Sequence, residues 1–166
     1  MASIDFGGSQ VQTSGALPEV GSVAPDAVLV GQDLASVQLH DIAGTRILNI
    51  FPSIGTGVCQ ASVREFAARA GAVDGVTVLH ISEDLPFAQK AFCGAEGLEG
   101  VMTFSAFRGS FGADYGATYL ESPFEGLLSR CVVVLDAQHR ILHTEQVPST
   151  GQEPDYAAAL AAVGVE

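Results

Sequence analysis

The hydrophobic and polar positions of this chain change period along its length, from short extended runs to helical spacing and back again. The first 25 residues predict a small annex: extended pieces at 4–6 and 11–13 around the Gly7-Gly8 turn, then a stretch punctuated by Pro, Gly and Ser up to Pro25. Short apolar pieces at 28–30 and 37–40 follow. RILNIF, residues 46–51, is then a continuous apolar run that Pro52 stops, which predicts a strand buried on both faces. Over 58–72 the pattern becomes helical, with Val63, Phe66, Ala67 and Ala70 on one side, Arg64, Glu65 and Arg69 on the other, and Gly71 or Gly75 as the stop.

A strand over 76–81 comes next. Ser82-Glu83-Asp84 reads as the acidic start of a second helix with Pro86 in its first turn, running through Phe87 and Ala91 to Cys93 before Gly94, Gly97 and Gly100 dissolve it. A short strand at 102–105 and a Gly-broken segment to Tyr119 lead to two extended runs, 131–135 and 140–147, that pair as an antiparallel hairpin. Glu153-Pro154-Asp155 caps a closing Ala-rich helix over 156–163. Strands alternating with helices define an α/β fold, a three-layer α/β/α sandwich with a mixed central sheet, for which a thioredoxin-like topology is the natural candidate. No repeat or linker divides the chain, so one domain is expected over 1–166, with 1–25 as an N-terminal hairpin extension.

Charge narrows the list of partners. With 19 acidic against 7 basic residues the formal charge is −12, and the basic residues stand singly. Nucleic acid and anionic membrane are therefore excluded as partners. The start of the chain has no cationic leader and no apolar stretch long enough to cross a bilayer, so a cytoplasmic protein is expected. Three cysteines are too few, and odd in number, for a secreted disulfide framework, and they lack CxxC spacing. The four histidines form no metal-ligand pattern and read as surface or edge residues, so neither a metal nor a cofactor is implied.

The chemistry concentrates at Pro52-Ser53-Ile54-Gly55-Thr56-Gly57-Val58-Cys59, a loop that puts a sulfur at a helix N-terminus. Unpaired N–H groups and the helix dipole favour a thiolate there. Thr56 has its hydroxyl in reach of the same turn, and Pro52, which lacks an N–H, makes a wall against water. The plainer alternative is a space-filling cysteine with Thr56 as an ordinary cap. Arg130 reads either as a solvated strand-end residue or as a cation brought beside the sulfur. Cys93 is either a buried helix-end residue or a second redox sulfur, and Cys131, at the head of an apolar strand, reads as inert. Phe107, Phe111, Tyr115 and Tyr119 are candidates for the core or for an interface.

NIFPSIGTGVC, ISEDLPFAQKAFCGAEG, SRCVVVLD and EPDYAAAL together resemble the bacterial thiol peroxidases, atypical two-cysteine peroxiredoxins, over nearly the whole chain. The resemblance implies Cys59 as peroxidatic and Cys93 as resolving cysteine, with Pro52, Thr56 and Arg130 binding and polarising the peroxide. It also implies a thioredoxin fold, a homodimer, a hydroperoxide substrate and thioredoxin as reductant. The two sulfurs lie on different predicted helices, so a disulfide between them requires local unwinding, which the glycines near both sites favour. Two rival readings are a redox sensor that keeps the cysteines without turnover, and a protein whose cysteines are incidental.

Overall fold

The computed structural model describes residues 1–98 and 100–165. Gly7 and Gly8, with φ of +60° and +95°, turn the chain between strands β1 (Ser3–Phe6) and β2 (Ser9–Gln12). A two-residue turn with both φ positive matches the twist of a hairpin and needs residues without a side-chain clash. It sets Ser9 opposite Phe6, so β2 begins earlier than the 11–13 expected. This hairpin is a sheet of its own and buries Ile4 and Val11 against Tyr119.

The remaining strands are β3 (Val28–Val30), β4 (Ser36–Gln38), β5 (Thr45–Ile50), β6 (Val76–Ser82), β7 (Met102–Ser105), β8 (Cys131–Leu135) and β9 (Ile141–Gln146). They form one seven-stranded sheet in the order β4-β3-β7-β6-β5-β8-β9. β5 with β6 and β6 with β7 are parallel, and the other pairs are antiparallel. The mixed sheet is thus as expected, and the 131–135 strand and its hairpin partner are where the pattern put them. The expected 37–40 piece is shorter, because the chain tightens into a 3-10 turn over Leu39–Asp41 that drops Leu39 into the core.

Helix α1 (Gly57–Ala70) crosses from β5 to β6, and α2 (Pro86–Ala95) from β6 to β7. A single turn, α3 (Phe111–Asp114), and α4 (Tyr156–Ala162) complete the set. Side chains of β5 and β8 alternate between two cores. Ile47, Val132 and Val134 pack against Phe66 and Ala70 of α1 and Tyr156, Ala159 and Leu160 of α4. Leu48, Ile50, Cys131, Val133 and Leu135 join Phe104, Phe111 and Tyr115 on the other face. β5 is therefore buried on both faces as its apolar run predicts, and each fully buried aliphatic side chain there contributes about 1.5–3 kcal/mol. The second face carries the thinner layer, built from α3, the 3-10 turn and loops.

One histidine expectation is corrected. His80 is not a surface residue: it lies on central strand β6, is 1% exposed, and shares a hydrogen bond between its Nδ1 and Asn49 Nδ2 at 3.0 Å. Burial pushes its pKa down to about 3, so it is neutral. His139 stands in the turn before β9, at φ +67°, with its ring stacked on His40 at 4.0 Å. Among the described residues no helix is long and apolar enough to cross a membrane.

Candidate active site

The strand that Pro52 stops delivers the chain to a short loop whose every turn is hydrogen-bonded. Pro52 is buried at its start. Thr56 N–H donates to Ser53 O at 3.2 Å, Gly55 N–H to Ser53 Oγ at 3.1 Å, and Gln60 Nε2 to Ile54 O at 3.0 Å. Thr56 is the N-cap of α1: its Oγ1 accepts from Cys59 N–H at 3.3 Å. That bond uses the hydroxyl as an acceptor and leaves its own proton available to a ligand. No acidic residue stands in the first turn of α1, so nothing there opposes negative charge on the sulfur. Cys59 is fully buried among Phe51, Ile54 and Val63.

β8 pairs antiparallel to β5 with Cys131 opposite Ile50, which brings the residue before Cys131 to the place where the Cys59 loop begins. Arg130 is that residue, and it is 3% exposed rather than solvated. Its Nη1 donates to Cys59 Sγ at 3.3 Å and its Nη2 to Thr150 O at 3.0 Å, while Nε finds no partner among the described residues. Thr150 is held in turn by the N-terminal hairpin, since its N–H donates to Asp5 O at 3.1 Å and Asp5 N–H donates to Pro148 O at 2.8 Å. The ion pairs found among the described residues belong to Arg64 and Arg69, so Arg130 is a buried cation whose neighbour is a sulfur and not a carboxylate. Beneath the same turn, Ser62 Oγ donates to Cys59 O at 2.7 Å and accepts from Asn49 Nδ2 at 3.1 Å.

The structure therefore brings Thr56, Cys59 and Arg130 together, with Pro52 at the head of the loop. It does not bond Cys93 to Cys59: all three cysteines are free thiols. Cys93 is buried on α2, where burial pushes its thiol pKa up and a hydrogen bond with Gln32 partly opposes the rise. Cys131 faces the opposite core, as successive residues entering a strand point to opposite faces. Burial pushes its pKa up to about 12. In native reduced protein at pH 8, Cys131 is expected to alkylate at least about 10³-fold more slowly than free cysteine, because so little of it is thiolate. Peptide mass spectrometry after timed labelling checks this, and labelling at the free-thiol rate would contradict it.

Sequence reasoning missed Thr150, which acts through a main-chain carbonyl and so leaves no residue-type signal. It also read Asp84 as part of a helix start, whereas α2 begins at Pro86 with Leu85 as its N-cap and without any side-chain cap. Ser82 belongs to β6 instead.

A capped helix N-terminus that presents a buried sulfur to a guanidinium, on a mixed sheet with helices across both faces, defines a thiol-redox protein of thioredoxin-like build. The Redoxin family profile matches residues 19–160. The thiol peroxidase of Mycobacterium tuberculosis is 53% identical over 165 residues, covering 99% of each chain, and that of Corynebacterium glutamicum is 47% identical over 164 residues, covering 98% of this chain and 99% of that one. Among solved structures, a peroxiredoxin-like protein from Aquifex aeolicus superposes with a TM-score of 0.91 at 30% identity, covering 99% of this chain and 96% of its own. The chain belongs to the Redoxin family and, within it, to the bacterial thiol peroxidases, enzymes that reduce peroxides with a cysteine thiol.

Proposed function

We propose that Cys59 is the nucleophile of this peroxidase and Cys93 its resolving partner, with Pro52, Thr56 and Arg130 forming the peroxide pocket. The observation that carries the reading is the 3.3 Å contact from Arg130 Nη1 to Cys59 Sγ, made by a buried guanidinium whose Nε is still unpaired. A buried cation without a counter-ion is costly. A Cys59 thiolate supplies that counter-ion, and the spare Nε–H is a donor left over for a peroxide oxygen.

The Cys59 thiolate attacks one oxygen of the hydroperoxide, forming an S–O bond as the O–O bond breaks. The departing oxygen leaves as hydroxide or alkoxide, stabilised by the guanidinium, and takes up a proton to become water or an alcohol. Thr56, with its hydroxyl proton unspent, donates to the reacting oxygens. Cys93 then attacks the sulfenic sulfur of Cys59; a disulfide forms, and the hydroxyl leaves as water with the Cys93 proton. Thioredoxin returns both sulfurs to thiols by dithiol exchange. Both hydrogen peroxide and organic hydroperoxides fit this chemistry.

Resolution needs the first turn of α1 and the end of α2 to open. α2 is built for it: no side chain caps its start, and Gly97 and Gly100 beyond its end adopt φ of +67° and +86°. A cytoplasmic homodimer acting as one domain over 1–166 completes the reading. Of the four aromatic candidates for an interface, Phe111, Tyr115 and Tyr119 are spent in the core and Phe107 remains 43% exposed.

Cys93→Ser tests the division of roles. With thioredoxin, its reductase and NADPH, the variant is expected to consume about one equivalent of peroxide per chain in a burst and then stall with Cys59 as sulfenic acid. Sustained wild-type turnover in Cys93→Ser would remove Cys93 from the mechanism.

A further inference from the structure

Asp84 has the composition of a helix-start residue but a different task. Its carboxylate turns away from α2 toward the loop that precedes α1. Oδ1 accepts from Ser53 Oγ at 2.8 Å, and Oδ2 accepts from Ile54 N–H at 2.7 Å and from Ser82 Oγ at 2.6 Å. Hydrogen bonds to a carboxylate are short and roughly twice as strong as neutral ones. The Ile54 peptide is thereby held at both ends, because its carbonyl accepts from Gln60 on α1. Two residues on stands Thr56, which caps Cys59. A displacement of Ile54 therefore carries the cap and the sulfur away from Arg130.

The same carboxylate is tied to the other cysteine. Ser82 Oγ, which donates to Asp84, accepts from Gln89 Nε2 at 3.1 Å, and Gln89 Nε2 also donates to Phe104 O at 2.8 Å. Gln89 lies on α2 about one turn before Cys93, and both are buried. The loop that carries Cys59 and the helix that carries Cys93 are thus joined through Asp84, Ser82 and Gln89.

We propose that Asp84 is a positioning residue of the peroxidase reaction: it holds the loop from Ser53 to Thr56 so that Cys59 faces Arg130, and the same hold opposes the opening that lets Cys59 reach Cys93. It acts through the loop and not on the peroxide. The inference rests on the reading of Cys59 as nucleophile and Cys93 as resolving thiol.

Stopped-flow measurement on the reduced full-length protein separates the two steps, oxidation of Cys59 being second order in peroxide and disulfide formation being independent of it. Asp84→Asn keeps the shape but offers one acceptor oxygen and turns a second donor toward the loop. It is expected to slow Cys59 oxidation about 10- to 100-fold, the usual penalty for a misplaced reacting group. Disulfide formation is expected to quicken about 10-fold, the factor for losing one charge-assisted hydrogen bond from the closed state. A residue that merely supports the fold would slow both steps. If Asp84→Asn does not fold, Ser53→Ala removes the Oδ1 contact, together with the Gly55 N–H bond to the same hydroxyl, while leaving the Asp84 carboxylate on Ile54 N–H, and is expected to move the two rates in the same opposite directions by less. Wild-type oxidation rates in both variants, or equal losses in both steps, would overturn the proposal. Wild-type protein that consumes peroxide without loss of the Cys59 thiol would overturn the underlying assignment of the nucleophile instead.

Discussion

Peroxide consumption by Cys59→Ser is expected to fall to the uncatalysed background, a loss on the order of 10⁴-fold or more, as removal of a covalent nucleophile produces elsewhere. A serine hydroxyl is not ionised near neutral pH and cannot accept the oxygen as a reversible sulfenic acid does. The change is nearly isosteric, so the cap by Thr56 and the packing against Phe51, Ile54 and Val63 survive it. Thermal unfolding close to that of the wild type, together with lost NADPH oxidation in the thioredoxin-coupled assay, is the expected pair of results. Retention of the wild-type rate would move the chemistry to another cysteine.

Arg130→Ala is expected to lower the second-order rate of Cys59 oxidation about 10²–10³-fold, the cost of deleting one preorganised donor to a developing oxyanion. Arg130→Lys keeps the charge but not the planar fork that serves Cys59 Sγ and Thr150 O together, so it should recover only part of that loss. Because Arg130 is buried, truncation also leaves a cavity, and the melting temperature of each variant is the control. An Arg130→Ala rate near wild type would exclude the guanidinium from the mechanism.

Much of the fold is legible in local pattern. The runs at 102–105 and 131–135 coincide with β7 and β8: MTFS alternates apolar and polar residues and CVVVL is a continuous apolar stretch, both bounded by turn residues. The helix from Thr56 is equally local: cap, apolar stripe and glycine stop all lie within one segment. Asp84 was misread for the converse reason. An acidic residue before Pro86 satisfies every local rule for a helix start, and only the approach of the Ser53–Ile54 segment in space offers it better donors. His80 was misread because a polar residue in an apolar strand says nothing of whether a buried partner such as Asn49 awaits it.

Residue order alone settled the alternation of strands and helices, the sulfur at a capped helix N-terminus and the resemblance to a peroxidase family, because these are properties of contiguous residues. Tertiary structure decided which groups meet. Arg130 is distant from Cys59 in the chain and becomes its neighbour only through the antiparallel pairing of β8 with β5. Its other anchor, Thr150, is fastened by a hairpin from the other end of the chain. Strand alternation then sends Arg130 toward Cys59 Sγ and Cys131 into the far core, so adjacent residues acquire opposite fates through a geometry that only the assembled sheet imposes.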